Sequence, residues 1–157
     1  KLLAKKSGTP GKTRLINYFQ ITLKRDDIED KFFLNFVDLP GYGYARVSLK
    51  EKESWKTMME NYFRLRSQLR GVILLVDIRH SADPKDKVMI ELLESLSIPY
   101  CLVATKSDKI PKNKISSTLK NLQRELNSKT QFLFPFSSLS KTGMEDVLTW
   151  IEEYILT

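Results

Sequence analysis

An α/β sandwich on a mostly parallel sheet is the fold class this sequence predicts. Two observations carry it. Short apolar runs (GVILLVD, IPYCLVAT, QFLFPF) alternate with segments whose apolar residues recur at helical spacing. GVILLVD is apolar at every position before its final Asp77, as suits a parallel strand covered on both faces. The length of 157 residues, 41% hydrophobic and 29% charged, fits one globular domain, residues 1–157, with a sizeable core.

The elements follow in order. RLINYFQITLK and KFFLNFVDL read as two strands of an antiparallel hairpin, joined through the polar KRDDIED. LKEKESWKTMMENYFRLRSQL then places Trp55, Met58, Met59, Tyr62 and Phe63 at helical spacing, a core stripe rather than a base-stacking surface. After GVILLVD, Asp83-Pro84 supplies a cap and a first-turn proline for a helix with Val88, Leu92, Leu93 and Leu96 inward. IPYCLVAT is the next strand, and Cys101 within it reads as a buried structural thiol. Ile115, Leu119, Leu122 and Leu126 mark another helix. QFLFPF is a further strand. Thr142-Gly143-Met144-Glu145 forms a capping box for a last helix with Met144, Val147, Leu148, Ile151 and Ile155 inward.

Charge and composition exclude some classes. No apolar run approaches the ~18–20 residues of a membrane span, and a single cysteine rules out an internal disulfide framework and suits a reducing compartment. The net charge of +7 is local: residues 1–25 carry seven Lys/Arg and no acid, and the remainder has 19 bases against 19 acids. A basic arm of this kind attracts phosphate, in a nucleotide, in RNA or on an acidic surface.

In parallel α/β sheets the site lies beyond the carboxyl ends of the strands. Four polar motifs fall there: Asp38-Leu39-Pro40-Gly41, Asp77, Thr105-Lys106-Ser107-Asp108 and Ser137-Ser138. Asp38 closing a strand can reach a magnesium ion as a Walker-B acid does, and Gly41 can offer its amide to a terminal phosphate. Asp108 can accept from guanine N1–H and N2–H₂, donors that adenine does not present, while Lys106 lays its stem along the base. Ser137-Ser138 can bring backbone near guanine O6. GKT at positions 11–13 is not a phosphate-binding loop by spacing, because its preceding glycine is Gly8 and Pro10 removes an amide. Thr13 on that basic loop can instead bind magnesium and sense the γ-phosphate from the other side.

The order TPGKTRLIN, DLPGYGYA, DIRH, TKSDK, FSS resembles the EngB/YsxC (YihA) family of bacterial ribosome-assembly GTPases, within the Ras-like translation-factor group. The resemblance covers nearly the whole chain. It implies a Ras-like P-loop GTPase three-layer sandwich and GTP/GDP with Mg²⁺ as cofactors. It implies nucleotide contacts at Gly11, Lys12, Thr13, Arg14 and Leu15, at Asp38, Leu39, Pro40 and Gly41, at Thr105, Lys106, Ser107 and Asp108, and at Phe136, Ser137 and Ser138, with Thr13 as metal ligand. It also implies a cytoplasmic, monomeric switch that acts with the large ribosomal subunit and its rRNA and is needed for cell division and septation.

Members of that family begin with a central strand, a P-loop and a helix that this sequence lacks, so the chain is expected to be an N-terminally incomplete G domain. The P-loop lysine and serine have no counterpart here, and no catalytic residue is assigned. Where many relatives carry a glutamine after DxxG, this chain has Tyr42, which implies slow hydrolysis. His80, the one histidine, is expected to form structural hydrogen bonds. The alternatives are a nucleotide-free RNA- or ribosome-binding module and, with GKT alone behind it, a kinase or ATPase.

Overall fold

The computed structural model describes residues 16–25, 28–40 and 49–155. Among the described residues, five strands and four α-helices follow one another as β1 (Asn17–Arg25), β2 (Ile28–Asp38), α1 (Leu49–Leu65), β3 (Val72–Asp77), α2 (Pro84–Ser95), β4 (Tyr100–Thr105), α3 (Lys112–Leu126), β5 (Leu133–Pro135) and α4 (Met144–Ile155), with one 3₁₀ turn at Ser107–Lys109. The chain divides into two units, Lys1–Trp55 and Lys56–Thr157.

The first unit holds the antiparallel pair β1–β2. Its register sets Phe19 against Phe36 and Ile21 against Leu34, all half-buried on one face. Tyr18, Gln20, Thr22, Phe33 and Asn35 alternate with them on the exposed face. This is the period-2 pattern of a sheet with one solvated side. The strands run much closer to the turn than expected: Arg25 pairs with Ile28, so most of KRDDIED is strand rather than connection. Antiparallel pairing relies on backbone groups, so charged residue types do not preclude it.

The second unit holds the parallel sheet β3-β4-β5, with α2 and α3 as its crossovers. In β4 every residue from Tyr100 to Ala104 is buried. Because the strands are parallel and Asp77 pairs with Thr105 while Ala104 pairs with Pro135, all three carboxyl ends reach the same sheet edge. Strand β5 is shorter than QFLFPF suggested. Pro135 has no N–H to donate, which is tolerated at the sheet margin, and beyond the regular strand the pairing continues through Phe132 O, Phe136 N and Phe136 O.

Several packing expectations are corrected. Leu75 of β3 is 61% exposed, so that strand is not covered on both faces; Leu74 and Val76 face the core instead. In α2 the buried residues are Met89, Ile90 and Leu93, and Val88 is exposed, because the buried face is rotated by about one residue from the Val88–Leu92 line. In α4 the buried residues are Trp150 and Ile151, while Met144 and Leu148 are exposed. The Asp83 cap forms as read: its side chain accepts from Lys85 N at 2.9 Å, with Pro84 in the first turn. The Thr142 box does not form. Gly143 (φ 74°) precedes the helix, and the Thr142 hydroxyl pairs with Ser140 Oγ at 2.8 Å. Gly143 is required there, since a Cβ would lie 2.0 Å from the Pro135 carbonyl oxygen. Among the described residues no helix is long and apolar enough to cross a membrane.

Candidate functional site

The carboxyl edge of β3-β4-β5 gathers Asp77, Thr105, Lys106, Ser107, Asp108, Phe136 and Ser137. Backbone bonds link the segments. Ser107 N–H donates to Phe136 O (3.0 Å), Phe136 N–H to Ala104 O (2.8 Å) and Ile78 N–H to Thr105 O (3.2 Å). The Thr105 hydroxyl donates to Val76 O at 2.9 Å, tying β4 to β3 at their ends. Ser107 and Ser137 are buried, and Ser138 is exposed.

Asp108 and Ser137 form the core of the arrangement. Ser137 Oγ, with no solvent exposure, donates to Asp108 Oδ1 at 2.7 Å and accepts from the amides of Leu139 and Ser140 at 3.2 Å each. Lys109 Nζ lies 3.5 Å from Asp108 Oδ2. The Ser137 hydrogen bond is the main cause that holds the Asp108 carboxyl below its ordinary range, with Lys109 acting in the same direction. An ionised carboxylate is acceptor-only and keeps lone pairs free for two donors side by side.

Lys106 adopts a left-handed backbone (φ 64°, ψ 32°) at the entry of the 3₁₀ turn. For a non-glycine residue this costs roughly 1 kcal/mol or more and persists where the surroundings enforce it. Its Nζ donates to Asp77 Oδ2 at 2.7 Å. Asp77 also takes a two-pronged bond from Arg79, Nε to Oδ1 at 2.9 Å and Nη2 to Oδ2 at 2.8 Å, with the Arg79 amide at 3.1 Å. Arg79 first, then Lys106, holds the Asp77 carboxyl far below the usual range against the opposing effect of burial. The same pairing pushes the Arg79 guanidinium up, with a smaller contribution from Asp108.

Sequence reasoning placed Asp77 at this edge but missed that it ties Lys106 and Arg79 together. The available signal was the D-x-R spacing, which lets an arginine fold back on a strand-ending carboxylate. His80 makes a structural hydrogen bond through its backbone, the amide donating to Asp77 O at 3.1 Å; among the described residues its side chain has no partner.

In the first unit Asp38 ends β2, paired across the ladder with Asn17. Leu39 and the buried Pro40 follow it. Gly11, Lys12, Thr13, Arg14 and Leu15, together with Gly41 and Tyr42, lie outside the described residues. Among the described residues no group of three or more His, Cys, Asp or Glu could hold a metal ion.

The pattern defining the 50S ribosome-binding GTPase family matches residues 1–106. A probable GTP-binding protein EngB from Streptococcus pneumoniae is 46% identical over 147 residues, which is 93% of this chain and 71% of the relative. The chain belongs to the EngB family of GTP-binding proteins. A solved structure of a probable GTP-binding protein EngB matches with a TM-score of 0.66 at 20% identity, over 78% of this chain and 76% of that one. Aquifex aeolicus Era, solved with GDP·AlF₄⁻, matches with a TM-score of 0.74 at 17% identity, over 95% of this chain and 47% of Era. The fold is that of the P-loop GTPases, seen here as a parallel three-stranded sheet and an antiparallel pair. EngB membership makes guanine nucleotide the ligand class.

Proposed function

We propose that this EngB-family chain is a guanine-nucleotide switch acting in assembly of the large ribosomal subunit, in the cytoplasm, as one G domain, with slow Mg²⁺-dependent GTP hydrolysis and a consequent role in cell division and septation. The observation that carries the reading is the Asp108 carboxylate, kept ionised by the Ser137 hydroxyl at 2.7 Å at the carboxyl edge of a parallel sheet. Asp108 accepts guanine N1–H and N2–H₂, Lys106 lies along the base with its ammonium on Asp77, and the Phe136–Ser138 segment faces the O6 side. A site built on such bonds rejects a base that leaves them unpaired.

On the phosphate side, Gly11–Leu15 and the Asp38–Gly41 turn supply contacts, with Thr13 as the magnesium ligand. Magnesium keeps several waters and binds through few protein oxygens plus phosphates. A single exposed carboxylate at the end of β2 fits that habit better than a three-carboxylate cage would. Magnesium bound there would neutralise charge on the transferred phosphoryl group. Tyr42 in the water-positioning place supports slow intrinsic turnover. The basic arm of residues 1–25 suits salt-sensitive contact with rRNA.

Asp108→Asn tests the assignment. The variant is expected to lose preference for GTP and gain binding of xanthosine triphosphate, whose 2-oxo group needs a donor. Unchanged GTP affinity in a titration calorimeter rejects it. Co-sedimentation with large subunits in GTP and in GDP tests the switch: equal association in both states leaves a passive binding module.

A further inference from the structure

We propose that Asp77 is a positioning residue for base binding: it holds Lys106 extended along the carboxyl edge, ready to lie against a purine ring, while Arg79 locks its carboxylate in place. The inference deepens the nucleotide reading above and rests on it.

The acceptor capacity of Asp77 is filled from within the second unit. Oδ1 accepts from the Arg79 amide at 3.1 Å and from Arg79 Nε at 2.9 Å. Oδ2 accepts from Arg79 Nη2 at 2.8 Å and from Lys106 Nζ at 2.7 Å. A carboxylate offers about four lone-pair sites, so Asp77 has none left for a ligand and acts through its partners. The two-pronged Arg79 contact fixes the plane of the carboxylate. With it is fixed the point where the Lys106 ammonium sits.

That point lies on one side of the motif. Lys106 follows β4, the middle strand, and reaches toward the end of β3. Asp108, two positions on, reaches the other way, to Ser137 just past β5. The two side chains are drawn apart, each toward a different flanking strand. In the nucleotide reading the ring is met at its edge by Asp108 and on its face by the Lys106 stem, so each anchor serves one contact.

An ion pair whose lysine is 52% exposed adds little to stability. Its value to a ligand is different, because a side chain ordered in advance spares the complex the entropy of ordering it. Charge alone predicts the opposite sign. Asp77 repels an anionic nucleotide, and its removal would release Lys106 and Arg79 as free cations for the phosphates.

The test titrates the parent, Asp77→Asn, Lys106→Met and the double variant with GDP and with inosine diphosphate. Asp77→Asn is expected to weaken both nucleotides alike, by about fivefold, since a stem on the ring face does not touch the 2-amino group that distinguishes them. Lys106→Met keeps a stem without its anchor and should show the same loss, and the double variant should lose nothing further. Unchanged or tighter binding by Asp77→Asn overturns the inference, as do losses that add in the double variant. A loss larger for GDP also overturns it, being the mark of a disturbed Asp108. Should Asp77→Asn fail to fold, ¹³Cε relaxation in the nucleotide-free parent decides: Lys106 should be clearly more restrained than the exposed Lys112 and Lys120, and equal mobility overturns the proposal. Failure of the underlying reading looks different. The parent then binds no guanine nucleotide, or Asp108→Asn leaves GDP affinity unchanged, and the role of Asp77 falls with it.

Discussion

Strand β4 buries every residue from Tyr100 to Ala104, whereas among Asn17 to Thr22 in β1 none is buried. The site residues differ in the same way. Asp108 is gripped by Ser137, 29 positions away, and Lys106 by Asp77, also 29 positions away. Among the described residues, Asp38 is held in the ladder of its own hairpin, opposite Asn17. Local stability follows buried contacts, and elements that respond to ligands are drawn from the less buried part of a structure. In the proposed reading, base selection would fall to the second unit and phosphate contact to the segment that follows β2 in the first.

The largest expected effect tests the packing contrast itself. Leu102, with no exposure, should cost about 2–5 kcal/mol of unfolding free energy when changed to Ala. Phe33, 66% exposed in the hairpin, should cost less than about 1 kcal/mol under the same change. Urea unfolding of both variants checks this. Similar losses at the two positions would remove the distinction between the units.

A second effect sharpens the same contrast through pH. Cys101 lies fully buried in β4, and burial pushes its thiol up from 9.0 to about 12. The unfolded chain loses that proton in alkali before the folded chain does. Its contribution to stability is thus whole below pH 9.0 and declines from there toward about 12, at about 1.4 kcal/mol per pH unit. Cys101→Val should flatten the alkaline limb of a stability–pH profile relative to the parent. An identical slope in parent and variant would show that the thiol ionises in the folded chain.

Why the parallel unit was the easier one to read follows from its packing. A run such as YCLVAT can be buried on both sides, and its place beside GVILLVD sends Thr105 and Asp77 to one edge. The TKSD and FSS motifs were legible for that reason. What escaped depends on rotation and on long-range contact. Whether Val88 or Met89 faces inward turns on about 100° of helix phase, which alternating apolar letters leave open. The Thr142 hydroxyl meets Ser140, and Gly143 beside it takes a left-handed backbone where a Cβ would strike the Pro135 carbonyl. The Asp77–Arg79–Lys106 cluster needs two strands in register before it exists at all. In the hairpin, charged letters hid strand, since KRDDIED reads as a loop although most of it pairs.

The smallest effect bears on the grip around Asp108. Ser137→Ala removes the hydroxyl that donates to the carboxylate and leaves the Leu139 and Ser140 amides without their acceptor. Guanosine diphosphate affinity should fall about tenfold, and inosine diphosphate affinity by less, since inosine lacks the N2 amino group that engages one of the two carboxylate bonds. The pH dependence should move as well. In the parent, Asp108 titrates below its ordinary value of 3.8, chiefly because of the Ser137 bond. Its ionised form therefore survives as pH falls, and nucleotide binding should persist further into acid than in the variant. Fluorescent-nucleotide titrations across the acid range check both expectations. Equal losses for the two nucleotides, with no difference in acid limb, would mean that Ser137 shapes the loop without orienting the carboxylate, and base selection would then rest on Asp108 and Lys106 alone.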